Sequence, residues 1–364
     1  MACTRRGYRS NMRLGVLDIG SNSAQLQIVD VAAGAPPLPA LAVKTPTLLG
    51  EEITDDGSIS QAGIEQVAGA VRKSMQVAAQ QQVDQLYPFV TSAVRDSTNR
   101  DDVIGAIETA VGVRPQFLSG VQEARLTYLA ARRWYGWSAG QLLLIDIGGG
   151  SMEIVLGRDA EPDLAISVPL GARHLTRELL PTDPPQRKHL RALRHRVQDT
   201  LAEVADRLRW EAEPSRVVVT SKTFKQLARL AGDAAQRKGP FIKRCLARAD
   251  IEAWVPRLSS LAATDRAKLP GSSASRAHQI VAGAVIATTT LKALDVDRVD
   301  LCPWALREGI ILRHLETITS HPELPLQAVA PSPAIEVEHY AAVEPLDHKT
   351  RRRRPAATRP EIVG

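Results

Sequence analysis

Leu17-Asp18-Ile19-Gly20-Ser21-Asn22-Ser23 near the start of the chain is echoed by Ile145-Asp146-Ile147-Gly148-Gly149-Gly150-Ser151 in its middle. Asp, Ile, Gly and Ser recur at matching offsets: 18 with 146, 19 with 147, 20 with 148 and 23 with 151. Each copy follows an apolar run (Leu14–Leu17, Gln141–Ile145) and precedes another (Gln25–Val29, Met152–Leu156). Short apolar runs interrupted by glycine read as strands joined by a turn. Two like units facing across a cleft bring both turns to one place, so the duplication points to two similar α/β domains.

Such turns suit phosphate. Glycine lets the backbone approach a ligand with no Cβ in the way, and successive N–H groups make an anion nest. Gly20 and Gly148, Gly149 and Gly150 supply the turns, while Ser21, Asn22, Ser23 and Ser151 add side-chain donors. Tight hairpins also need glycine for structural reasons alone. The doubling, each time with an aspartate at the strand end, favours the functional reading. An aspartate beside a bound anion makes electrostatic sense if a divalent cation lies between them. Mg²⁺ takes one or two carboxylates together with phosphate oxygens and waters. Asp18, Asp146 and Glu153 can supply the carboxylates, with Mg²⁺ or Mn²⁺ as the expected cofactor.

Working outward, helices are expected over 61–82, 100–111 and 120–135, with strands at Leu86–Val90 and Arg114–Leu118. The second series reads as a strand at Ala165–Val168, a helix over 185–209, a strand at Val217–Val219 and a helix over 222–231. A helix over 276–294, a strand at Val299–Leu301 and a helix over 304–316 complete it. The domains expected are 12–133 and 134–318, after a leader over 1–11 and before a basic, proline-containing tail without structure over 319–364.

With 364 residues the chain is too long for one core, which agrees with two domains. Net charge is +6, and much of the excess sits at the ends, in Arg5, Arg6 and Arg9 and in Arg351 to Arg354. A basic balance favours polyanionic partners without choosing among them. Cys3, Cys245 and Cys302 are scattered and show no metal-ligand spacing, as in a reducing cytoplasm. No signal-peptide core precedes the first strand, and Ile280–Leu291, with three threonines, is too short to span a bilayer. A soluble, cytoplasmic protein with no membrane partner is expected.

Four ordered motifs then carry a resemblance. They are Asp-Ile-Gly-Ser-Asn-Ser at 18–23, Thr-Ser-Ala-Val-Arg at 91–95, Ser-Gly-Val-Gln-Glu-Ala at 119–124 and Asp-Ile-Gly-Gly-Gly-Ser-Met-Glu at 146–153. Leu-Gly-Ala-Arg at 170–173, Ile-Val-Ala-Gly-Ala at 280–284 and Leu-Arg-Glu-Gly at 306–309 extend it over roughly 13–314. This order resembles the exopolyphosphatase/guanosine pentaphosphatase (Ppx/GppA) phosphatases. The resemblance implies the actin-like ATPase (ribonuclease-H-like) fold, with mixed sheets flanked by helices around a central cleft. It implies removal of terminal phosphate from inorganic polyphosphate or guanosine pentaphosphate. It makes Glu123 the catalytic base and Arg95 a phosphate contact, and it assigns Glu153 to the site. A homodimer is consistent with the family, and specific nucleic-acid binding is not expected.

The sequence departs from related ATPases at Val-Thr-Ser-Lys-Thr (219–223), where a Gly-Gly-Thr-like turn lets a nucleoside pack. Lys222 reads equally as a contact to an anionic substrate or as a surface lysine at a helix start. The departure moves the expected substrate toward polyphosphate. Guanosine penta- or tetraphosphate remains as an alternative substrate, ligand or inhibitor, and a non-hydrolytic sensor is a further reading. Nothing after residue 320 resembles the C-terminal helical region of long family members, so short polyphosphate chains are the expected preference.

Overall fold

Alternating and continuous apolar runs set the strands. β1 (Met12–Ile19) buries Leu14, Val16, Leu17 and Ile19 completely, as a central strand covered on both faces does. The computed structural model of the chain describes residues 12–32, 36–49, 52–54, 56–209, 213–320, 326–327 and 329.

The first half runs β1, β2 (Ser23–Val31), β3 (Leu41–Pro46), α1 (Gln61–Gln80), β4 (Gln85–Val90), α2 (Ser92–Arg95), α3 (Arg100–Val111), β5 (Gln116–Phe117) and α4 (Gly120–Tyr135). Its sheet has the order β3-β2-β1-β4-β5. The β1–β2–β3 pairings are antiparallel and the β1–β4–β5 pairings parallel.

The second half runs β6 (Leu142–Ile147), β7 (Met152–Gly157), β8 (Leu164–Val168), α5 (Ala172–Leu179), α6 (Arg187–Arg209), β9 (Arg216–Val219) and α7 (Ser221–Leu230). It continues with β10 (Cys245–Ala247), α8 (Arg248–Ser260), α9 (Ala263–Arg266), α10 (Ile280–Ala293), β11 (Arg298–Leu301) and α11 (Leu306–Ser320). Its sheet has the order β10-β11-β9-β6-β7-β8, and β6, β7 and β9 repeat the pairing of β1, β2 and β4.

Helices α1 and α3 cover one face of the first sheet through Val67, Val71, Ile104 and Ile107. The second core gathers around α10, which is apolar all round and buried on every face. The soft stretch Ile280–Leu291 is therefore a core helix. Among the described residues no helix is long and apolar enough to cross a membrane. Helix α4 belongs to both halves. Its Leu126 packs with Leu14 and Val16, while Ala124 and Tyr128 pack with Leu142 and Val155. The start of α4 is thereby fixed between the two sheets.

Several elements were not anticipated. β3 is a half-buried edge strand, and α8 carries Pro256, which breaks the helical pattern. The strand expected over Arg114–Leu118 shrinks to two residues. That short β5 leaves the edge of β4 open at Leu86, and Val329 fills it with two backbone bonds of 3.0 Å. Leu326 is buried nearby. Part of the stretch expected to be an unstructured tail thus packs on the first sheet. The rest of that stretch, and the leader over 1–11, lie outside the described residues.

Candidate active site

Both motif turns are four-residue hairpin loops. The Gly20 N–H donates to the Ser23 carbonyl at 3.1 Å, and Gly148 N–H to Ser151 at 2.9 Å. Thr47 Oγ1 anchors the first loop by donating to the Gly20 carbonyl at 2.7 Å. The second loop is anchored by the first turn of α5. There the N–H groups of Ala172 and Arg173 donate to the carbonyls of Gly148 and Gly149, each at 3.0 Å. This contact needs Gly171, where a Cβ would stand 2.2 Å from the Gly150 carbonyl carbon.

Between the loops lies a cleft of about 200 Å³. Asp18, Gly20, Ser21, Asn22 and Ser23 line it from the first hairpin, and Asp146, Gly148, Gly149, Ser151 and Glu153 from the second. Glu123 completes the wall. Of the predicted site residues, Gly150 and Arg95 do not line the cleft; Gly150 faces Ser92 and an adjoining cavity.

Glu123 stands in the first turn of α4 because Ser119 starts that helix with a capping box. Gln122 N–H donates to Ser119 Oγ at 3.2 Å, and Ser119 N–H to Gln122 Oε1 at 2.8 Å. Arg95, on α2 just past β4, donates through Nη1 to Glu123 Oε1 at 2.5 Å and to the Leu118 carbonyl at 3.0 Å. Its Nε donates to Asp96 at 2.9 Å. Both partners of the Arg95–Glu123 pair are about 13–14% exposed, so Arg95 is no loose surface arginine.

The cleft concentrates buried acid. Burial and the neighbouring Glu153 push the Glu123 carboxyl well above its ordinary range, and Arg95 only partly offsets this. Burial and Asp146 push Glu153 up to about 7, even though Ser167 Oγ donates to it at 2.9 Å. Burial alone lifts Asp146 to about 6, and it raises Asp18 as well. Cations face this group. Lys222 is pulled down to about 7 by burial and by Arg276, Lys44 and Arg307, and it is the nearby cation that most favours ionised Asp18 after Arg307. Of its two readings, the surface lysine is excluded, because Lys222 lines the cleft.

Sequence reasoning missed several residues at the site. Arg276 and Thr127 line the cleft, and Lys225 is buried near Asp146. The Leu-Arg-Glu-Gly motif acts from behind: Arg307 Nη1 donates to Gln25 Oε1, and Glu308 Oε1 accepts from Gln27 at 3.0 Å. The motif itself was the available signal, but not its partner strand. Ser221 adopts φ +76°, so the turn keeps a glycine-like backbone while carrying a side chain.

Asp18, Asp146 and Glu153 share the cleft, but among the described residues no three His, Cys, Asp or Glu side chains gather closely enough to cage a metal ion. A closed three-carboxylate site is not what the chain builds. The donors fit a hard cation held partly by carboxylate and partly by water and substrate oxygens, as Mg²⁺ prefers.

Two mixed sheets, joined by α4 and presenting paired hairpin loops to one cleft, define an α/β protein of the actin-like ATPase type. The chain belongs to the Ppx/GppA phosphatase family, whose model matches residues 27–318. It is 45% identical over 306 residues to Exopolyphosphatase 1 of Mycobacterium tuberculosis, covering 84% of this chain and 89% of that one. It is 42% identical over 339 residues to Exopolyphosphatase 1 of Mycobacterium leprae, covering 93% and 100%. Among solved structures, an exopolyphosphatase from Cytophaga hutchinsonii superposes with a TM-score of 0.76 at 22% identity, covering 84% of this chain and 98% of that one. The Aquifex aeolicus Ppx/GppA enzyme superposes with a TM-score of 0.69 at 25% identity, covering 83% and 99%.

Proposed function

We propose that the protein is an exopolyphosphatase that hydrolyses the terminal phosphoanhydride of inorganic polyphosphate. The observation that carries this reading is the position of Glu123. It is held by a capped helix and by Arg95, in a water-accessible cleft between two phosphate-type loops.

In this reading the terminal phosphate rests against the hairpin loops, with the N–H groups and hydroxyls of 20–23 and 148–151 around its oxygens. A water beside Glu123 attacks phosphorus in line. The bond from phosphorus to the bridging oxygen breaks, and its electron pair leaves with the shortened chain. Glu123 takes the water proton as the new P–O bond forms. Its raised proton affinity, caused by burial and Glu153, makes it a stronger base than an exposed carboxylate. Arg95 orients Glu123 and offers positive charge to the phosphoryl oxygens. Lys222 and Arg276 add positive charge to the cleft lining. A divalent cation, Mg²⁺ or Mn²⁺, would be held by one or two of the carboxylates Asp18, Asp146 and Glu153, with water and substrate oxygens completing its shell, and would neutralise phosphate charge.

Guanosine pentaphosphate is the weaker substrate in this reading. Ser221 and Lys222 put side chains where a nucleoside would approach the backbone. Phosphate release from polyphosphate and from guanosine pentaphosphate, by wild type and Glu123→Gln, tests both points. Release from polyphosphate that Glu123→Gln leaves intact would remove the base from the mechanism. Faster release from guanosine pentaphosphate than from polyphosphate would reverse the substrate assignment.

A further inference from the structure

A second cavity of about 580 Å³ adjoins the catalytic cleft and shares Asn22 and Ser92 with it. Helix α5 forms one wall with Arg173, His174 and Arg177, and the loop that carries Ser275 and His278 forms another. That loop also carries Arg276, which lines the catalytic cleft, so one segment borders both spaces. Among the described lining residues Asp96 is the only acid, and its Oδ1 is engaged by Arg95 at 2.9 Å.

Arg173 is the unusual group. Its Nη1 is buried and has no hydrogen-bond partner. Burial, then the neighbouring Arg177 and Arg276, lower its proton affinity to about 10. A buried guanidinium among like charges is costly unless an anion answers it. Proteins rarely leave such a donor unmet, and a guanidinium fork matches phosphate oxygens. A purely structural role would have Nη1 bonded to a backbone carbonyl, as Arg132 Nη1 is to Gly140 and Arg244 Nη1 to Ile242.

We propose that this cavity is the subsite for the upstream phosphates of the polyphosphate chain. With the terminal phosphate beside Glu123, the chain passes Asn22 and Ser92 and enters the cavity, where Arg173 and Arg177 bind its next residues. The proposal rests on the exopolyphosphatase reading and extends it. Substrates long enough to reach the cavity gain contacts that tripolyphosphate does not make. This gives a physical basis for chain-length preference.

The test uses Arg177→Gln, because Arg177 is exposed and its loss leaves the packing of α5 intact. Arg173→Gln and Arg177→Lys accompany it. For medium-length polyphosphate, kcat/KM falls about tenfold in Arg177→Gln, mainly through KM, and Arg177→Lys recovers most of it. Tripolyphosphate turnover changes less than twofold. An equal loss on both substrates, or no loss on either, overturns the subsite.

Binding of medium-length polyphosphate to Glu123→Gln, with and without Arg177→Gln, reads the cavity separately from turnover. An unchanged Kd overturns the subsite even where hydrolysis proceeds as described. A weakened Kd in a protein whose wild type releases no phosphate supports the subsite and overturns the hydrolytic reading instead. A loss confined to guanosine pentaphosphate overturns the assignment to polyphosphate.

Discussion

In the first hairpin Asp18 lies across from Gln25, and in the second Asp146 lies across from Glu153. The surrounding backbone is nearly the same. A glycine N–H closes each loop onto a serine carbonyl, and a threonine hydroxyl meets the carbonyl of each strand-end isoleucine: Thr91 to Ile19 at 3.5 Å, Thr223 to Ile147 at 3.0 Å. What differs is charge. Gln25 is neutral and tied to Arg307, whereas Glu153 is a second buried acid that accepts from Ser167. A duplicated scaffold thus supplies two like loops, and the second carries the extra buried carboxylate. The second hairpin, with Glu123 beside it, holds most of the strained charge.

Making the second hairpin neutral like the first should have the largest effect. Glu153→Gln is expected to lower kcat about 10²–10³-fold, because a carboxylate proposed to hold the divalent cation is lost. The same change should stabilise the protein in chelator. The folded-state proton affinity of Glu153 is raised from 4.5 to about 7, so the native state keeps a proton that the unfolded chain releases. Wild-type stability attributable to this group therefore falls as pH rises from about 4.5 through 7. Denaturant midpoints should show Glu153→Gln gaining on the order of 1–3 kcal/mol between pH 5 and pH 8. A gain that is flat with pH would show that Glu153 is not protonated in the folded state.

Gly171→Ala attacks the anchor of the second loop and leaves the first untouched. Its Cβ would meet the Gly150 backbone at 2.2 Å, so a loss of about 2–3 kcal/mol in unfolding free energy is expected, with activity falling alongside. Full activity in a destabilised variant would mean that the loop position matters little to catalysis.

The first hairpin should be more forgiving. Gln25→Ala removes the partner of Arg307 and should reduce kcat/KM by less than tenfold, well short of Glu153→Gln. The smallest effect is expected at Ser221. Its left-handed backbone is relieved by Ser221→Gly, which should raise stability by about 1 kcal/mol in thermal melts.

The duplicated motif made the two hairpins legible, because each depends on residues adjacent in sequence, while Glu123 was legible only through the resemblance carried by Ser-Gly-Val-Gln-Glu-Ala at 119–124. Arg276, which lines the cleft, and Arg307 and Lys225, which approach it from behind, escaped because they come from helices and loops more than 200 residues after Asp18, and only folding brings them there. Lys222 was visible but ambiguous, since a helix start places a lysine in solvent or in a cleft with equal ease. The basic wall of α5 was hidden because Leu-Gly-Ala-Arg reads as a motif, and the helix that follows is short and mostly polar. Pro256 masked α8, and the brevity of β5 gave no hint that Val329 would complete the edge of β4.

In the proposed reaction a water activated by Glu123 removes the terminal phosphate of polyphosphate. Its most direct measurement is the rate of phosphate release from polyphosphate, with Mg²⁺ or Mn²⁺, by wild type and by Glu123→Gln at equal folded concentration. The expected result is steady release by wild type and a loss of about 10²–10⁴-fold in kcat in the variant, with polyphosphate still bound. Wild-type turnover in Glu123→Gln would contradict the account.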